Sequence, residues 1–133
     1  MINLKNIDHI GIAVNDLEQS LEVYKLLGFE CQKTEEIAEQ KVRVAFLPCG
    51  ESELELLEPT DSDSPVQKFL DKRGEGIHHI AVRVDDVREA IAKLKEAGVR
   101  MIDETPRYGA GGAKIAFIHP KTTGVLFELT ERE

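Results

Sequence analysis

The sequence predicts an α+β fold built from two copies of one module. Three observations carry that prediction. The stretch "IDHIGIAVNDLEQSLEVYKLLGFE" (7–30) lies over "IHHIAVRVDDVREAIAKLKEAGVR" (77–100) at a constant offset of 70 residues, and such self-similarity marks duplicated supersecondary units. Each copy opens like a strand and then turns into a helical pattern that starts at an aspartate and stops at a glycine. The chain is 41% hydrophobic and 32% charged over 133 residues, the balance of an ordinary globular chain with a core of useful size, which excludes disordered and fibrous classes.

The elements follow in order. Module one covers about 4–60, a connector helix about 64–73, and module two about 75–131, together one domain over 1–133. In the first module helix, Asp16 is a natural N-cap with Gln19 three residues on, Leu17, Leu21 and Tyr24 recur at helical spacing, and Gly28 ends the run. The second module repeats this with Asp86 and Glu89, then Val87, Ile91 and Leu94, and Gly98. Strands come next: "VAFLP" (44–48) matches "IAFIHP" (115–120) at an offset of 71, and "LELLEP" (54–59) matches "FELTE" (127–131) at an offset of 73. In the connector Ser64 caps, Pro65 occupies the first turn and Gly74 stops the helix. "RYGAGGAK" (107–114) reads as a loop whose glycines permit positive φ or a close backbone approach to a ligand.

Composition removes several functions. Net charge is −8, from 17 basic and 25 acidic residues, with no Lys/Arg block, so a nucleic-acid partner is excluded. The apolar runs fall far short of the ~20 residues that cross a bilayer, which excludes a membrane partner, and "MINLKNIDHI" lacks the basic and apolar regions of a secretion signal. A cytoplasmic location is therefore expected. Cys31 and Cys49 have no metal-type spacing, and in that compartment they are expected to be inert core thiols rather than a disulfide.

The repeat selects between adjacent histidines. His9 falls opposite His79, whereas Asp8 falls opposite His78, so His79 is the recurring one. Strand side chains alternate between faces. His9 therefore shares a face with Gly11 and Ala13, and His79 with Ala81, while Ile10, Ile12 and Val14, or Ile80, Val82 and Val84, form a bulky face suited to packing on helices. His78 sits on the bulky side, as a polar neighbour. Glu55 and Glu128 are equivalent to each other and lie in apolar strand sequence, where glutamate is disfavoured and a buried carboxylate must be paired or metal-bound. If the modules pack with approximate twofold symmetry, His9, Glu55, His79 and Glu128 converge. Two imidazoles with carboxylates and no thiolate suit a borderline divalent ion such as Co, Mn, Ni, Zn or Fe(II). Four protein ligands on a six-coordinate ion leave two positions for a substrate.

The chain resembles the vicinal oxygen chelate (glyoxalase-like) superfamily, in which paired βαβββ modules form a cup around a divalent metal, and within it the methylmalonyl-CoA epimerase family. The stretches that carry the resemblance are "IDHIGIAV", "LELLEPTDSDSPVQKFLDKRGEGIHHIAVRVDDV" and "AKIAFIHPKTTGVLFEL". The resemblance implies metal ligands at His9, Glu55, His79 and Glu128, one divalent ion per chain with Co foremost and Mn, Ni or Zn as substitutes, methylmalonyl-CoA as substrate, and a homodimer. The family also carries Gln at the position of Glu55. It further implies epimerisation through removal and return of the proton at C2, with Glu128 as base on one face. Relatives place a second glutamate in the strand after an "EQG" turn, where this chain reads "EQKVRVAF" with Val44. That leaves Glu55, Glu39 or an ordered water for the other face. Lys68, Lys72, Arg73, Lys114 and Lys121 are the available cations for the CoA phosphates. Competing readings are a glyoxalase-type lyase acting on a glutathione hemithioacetal, an extradiol dioxygenase, and a metal-free ligand-binding module of the same fold.

Overall fold

The computed structural model describes residues 2–133. The chain divides into two compact units, one of residues His9–His78 and one of residues up to Asp8 together with His79–Glu133. Each carries one βαβββ module. The elements of the first are β1 (Leu4–Ala13), α1 (Leu17–Leu26), β2 (Lys33–Ile37), β3 (Val42–Cys49) and β4 (Ser52–Pro59). The connector helix α2 (Pro65–Arg73) follows, and then β5 (Gly76–Val84), α3 (Val87–Glu96), β6 (Arg107–Tyr108), β7 (Lys114–Ile118), a short α4 (Pro120–Thr123) and β8 (Phe127–Glu131).

In the first unit β2 runs antiparallel to β3 and β3 antiparallel to β4, while β4 runs parallel to β1, as a crossover through a helix allows. The bulky strand face packs on α1 as the sequence predicts. Val14, Leu17, Ala45, Leu47 and Leu56 are buried together, with Ile12, Leu21, Tyr24, Phe29 and Leu54 packed around them. Leu17, Leu47 and Leu56 are essentially inaccessible, and each such side chain contributes roughly 1.5–3 kcal/mol of transfer free energy. The second unit repeats the plan, with β6 antiparallel to β7, β7 antiparallel to β8 and β8 parallel to β5. Its core joins Val84, Val87, Ala90, Ile91, Met101, Ala116 and Leu129, bordered by Val82, Leu94 and Ile118.

The predicted caps form. Asp16 accepts a hydrogen bond from the Gln19 N–H, Asp86 from the Glu89 N–H, and Ser64 Oγ from the Val66 N–H. A second set of caps escaped the sequence reading. The Leu17 N–H donates to Glu58 at 2.9 Å, and the Val87 N–H donates to Glu131 at 3.0 Å. In both modules a carboxylate from the last strand thus satisfies an open N–H at the start of the module helix and faces the positive end of its dipole.

Two expectations are corrected and one element is added. Residues 107–114 are not all loop: Arg107 and Tyr108 pair with Ile115 and Lys114, a two-residue strand too short to leave an alternating pattern. Within the remaining turn, Gly111 and Gly112 take positive φ, and a Cβ on Gly109 would lie 2.8 Å from Ile115 Cδ1, so the glycines serve the fold itself. Cys31 and Cys49 are free but exposed rather than core thiols, because Cys49 ends β3 beside the turn at Gly50 and Cys31 lies between α1 and β2. Helix α4 was not foreseen. It falls between β7 and β8, the segment where module two is longer by two residues and the repeat offset grows from 71 to 73; His119 Nδ1 caps it by accepting from the Lys121 N–H, and Pro120 opens it.

Candidate metal centre

Each unit presents one histidine facing one carboxylate. In the first unit His9 and Gly11 lie on one face of β1, and Gly11 sits directly across from Glu55 of β4. A residue without a side chain leaves room for the carboxylate, since opposed residues in neighbouring strands stand only about 5 Å apart. Glu55 Oε2 lies 3.3 Å from His9 Nδ1. In the second unit Ala81 sits across from Glu128 of β8, and Glu128 Oε1 lies 3.5 Å from His79 Nε2. The aromatic neighbours also repeat: Phe46 of β3 opposes Glu55, and Phe117 of β7 opposes Glu128. The Phe117 ring stands edge-on to His79, with centroids 5.5 Å apart.

All four groups are withdrawn from solvent, with His9 and Glu55 3% exposed, His79 5% and Glu128 4%. Burying two carboxylates carries a large desolvation cost unless cationic or strongly polar partners meet them. Two imidazoles and two carboxylates, without a thiolate, are donors that suit a borderline divalent cation. His9, His79 and Glu128 offer buried donor atoms of this type, and Glu55 adds another. The residues therefore fit such an ion chemically.

One residue of this face was missed. Thr130, fully buried two positions after Glu128, donates from Oγ1 to Glu128 Oε2 at 2.5 Å. The repeat does hold a signal for it, because the offset of 73 puts Leu57 at the equivalent place of module one, and a hydroxyl in a buried apolar slot needs a partner.

The other predicted residues lie as follows. His78 faces Phe69 of α2, with ring centroids 5.1 Å apart, and burial pulls its pKa below the usual 6.5. Asp8, its repeat equivalent, is held by both Nε and Nη2 of Arg132 at 2.8 Å. Val44 is buried and sits between Glu35 and Leu57 of the neighbouring strands, so it brings no titratable group. Glu39 is exposed in the turn before β3. Lys68, Lys72, Arg73, Lys114 and Lys121 are all exposed, with Lys114 3.8 Å from Glu131 and Arg73 over the Phe69 ring.

Comparison with known proteins identifies the family. The model of the Glyoxalase/Bleomycin resistance protein/Dioxygenase superfamily matches residues 8–117. The mitochondrial methylmalonyl-CoA epimerase of Homo sapiens is 39% identical over 97% of this chain and 75% of its own length. The crystal structure of methylmalonyl-CoA epimerase from Mycobacterium tuberculosis superposes with a TM-score of 0.93 at 41% identity, covering 98% of this chain and 89% of that one. A methylmalonyl-CoA epimerase solved in complex with methylmalonyl-CoA and NH4+ gives a TM-score of 0.91 at 46% identity, over 97% of this chain and 95% of that one. The α+β arrangement of strands and helices described above is the fold of that superfamily, and the chain belongs to it and, within it, to the methylmalonyl-CoA epimerase family.

Proposed function

We propose that this chain epimerises (2R)- and (2S)-methylmalonyl-CoA, and that His9, Glu55, His79 and Glu128 hold one divalent ion per chain for that reaction. The observation that carries the reading is the pairing of a buried histidine with a buried carboxylate in both modules, at positions equivalent by sequence repeat, in a chain of the epimerase family. A divalent ion bound there supplies Lewis acidity toward the thioester and carboxylate oxygens of the substrate and so stabilises the enolate.

The residues do the proton work. Glu128 takes the C2 proton on one face: the C2–H bond breaks, the carboxylate becomes a carboxylic acid, and the electron pair moves onto the thioester oxygen. A group on the opposite face returns a proton to C2 and inverts the centre. Val44 has no proton to give, and Glu39 is exposed in its turn, which favours Glu55 for that second role. Burial disfavours the charged form of a carboxylate and a nearby cation favours it, so the two effects oppose one another at a site of this kind. Phe46 and Phe117, opposite Glu55 and Glu128, help keep water from the carboxylates and from the carbanion.

Cobalt is the preferred ion of this reading, with Mn, Ni and Zn as substitutes. Among the described residues no helix is long and apolar enough to cross a membrane. The reading includes a cytoplasmic homodimer, an assembly expected from family resemblance. The decisive experiment is proton NMR of the metal-loaded protein with methylmalonyl-CoA in deuterated water. Loss of the C2 proton signal, with deuterium appearing in both epimers, supports the assignment. A C2 proton that stays in place over hours at micromolar enzyme overturns it.

A further inference from the structure

We propose that Thr130 is the positioning residue for Glu128: its hydroxyl holds one carboxylate oxygen so that the other stays turned toward His79. The geometry lies wholly within the second unit. Thr130 Oγ1 donates to Glu128 Oε2 at 2.5 Å, and Glu128 Oε1 lies 3.5 Å from His79 Nε2. Both residues stand on the same face of β8, two positions apart, and Thr130 has no solvent exposure. A carboxylate with one oxygen occupied by a hydroxyl cannot turn freely about its last torsion, and it presents the remaining oxygen as a single donor. The first unit has no such device at the equivalent place. There the cross-strand pair is Val44 with Leu57, where the second unit pairs Ile115 with Thr130.

The inference rests on the metal reading proposed above and adds a division between the two carboxylates. Thr130 holds Glu128 Oε2 and leaves Oε1 as the one oxygen free for a cation or a proton, whereas Leu57 offers Glu55 no hydroxyl donor. Hydrogen-bond partners of metal ligands typically set about 10–100-fold of metal affinity, so the hydroxyl is expected to have an effect of that size.

The test is titration of metal-free protein with Co(II), following the visible absorption of bound cobalt, on wild type and on Thr130→Ser, Thr130→Ala and Thr130→Val. Serine and alanine both lose the methyl group and differ only in the hydroxyl, so their ratio isolates it even if valine does not fold. The expected result is Thr130→Ser within about threefold of wild type and Thr130→Ala about 10–100-fold weaker, with matching thermal stability of the metal-free Ser and Ala variants once the hydrogen bond itself is allowed for. A changed cobalt spectrum in the alanine variant, reporting an altered ligand set, is a second supporting outcome. Equal weakening by serine and alanine, or no weakening by either, overturns the assignment of Thr130 alone. Failure of the wild type to take up Co(II) overturns the metal reading, and this inference with it.

Discussion

Module one and module two share a plan and differ at the positions where chemistry and backbone strain are concentrated. Both place a histidine on the leading strand, a carboxylate on the last, a phenylalanine opposite that carboxylate, and a glutamate capping the module helix. They part where Leu57 stands for Thr130, where Lys41 stands for Gly112, and where module two inserts α4. Shared features are those either unit needs in order to fold and supply donors. Differences mark where the two copies need not behave alike, so substitutions at equivalent positions read the comparison directly.

The largest effects are expected where the modules agree. His9→Ala and His79→Ala should each abolish stoichiometric Co(II) uptake and C2 proton exchange. Removing a ligand outright exceeds the roughly 10–100-fold loss from removing an outer partner. The stabilisation that metal gives the wild type, about 2.7 kcal/mol at a hundredfold excess over Kd, should vanish in both variants. His78→Ala, with its ring on Phe69, should keep its metal content. Elemental analysis and melting curves with and without metal check all three, and equal metal loss in His78→Ala and His79→Ala would break the register on which the comparison stands.

Next come the carboxylates, where the modules should diverge. Glu55→Gln is expected to retain metal within about tenfold, since an amide oxygen is still a ligand. Glu128→Gln should lower C2 exchange by at least about 100-fold, the usual scale of a general base. Exchange rates by NMR, normalised to bound metal, separate ligation from proton transfer. Equal loss of metal affinity in the two variants would show that Thr130 sets no division between the carboxylates as ligands.

The legibility of this molecule follows from the repeat. The burial and pairing of His9 with Glu55 and of His79 with Glu128 were readable because each is polar in an apolar strand and each recurs. Asp16, Ser64 and Asp86 were readable because an N-cap is local in sequence. Glu58 and Glu131 were not, although they do the same job, since their partners lie 41 and 44 residues away and nothing in their own neighbourhood marks them. Thr130 was hidden for a related reason: a single hydroxyl in a strand is ordinary until its partner is known. Strand β6 and helix α4 are too short for a period to declare itself, and the exposure of Cys31 and Cys49 depends on chain ends and turns rather than on residue type.

A smaller and symmetric effect tests the caps. Glu58→Ala and Glu131→Ala each remove a carboxylate acceptor at a helix start, worth about 1 kcal/mol. Urea unfolding should show similar losses for the two, with unchanged m-values. A loss confined to one variant would mean that the modules do not hold their helices in the same way.

The last difference concerns the turn before the third strand of each module. Lys41 and Gly112 are equivalent at the offset of 71, and both adopt positive φ, 56° and 76° respectively. The turn hydrogen bond is also the same, from Lys41 N–H to Ala38 and from Gly112 N–H to Gly109, each 3.2 Å. Lys41 is the one non-glycine residue with positive φ among those described, in a region where a Cβ is strained. Its ammonium reaches Asp63, which raises the Lys41 pKa and lowers that of Asp63, yet both are exposed and such a pair contributes little. Lys41→Gly and Lys41→Ala lose that pair equally, so their difference isolates the backbone. The glycine variant should melt roughly 2–4 °C above the alanine variant, after the larger chain entropy of unfolded glycine is deducted. Gly112→Ala should fall by a similar amount, because a Cβ there meets nothing within 4 Å and only φ opposes it. If Lys41→Ala matches Lys41→Gly while Gly112→Ala still falls, the two turns are not conformational equivalents, and the first module relaxes its backbone where the second cannot.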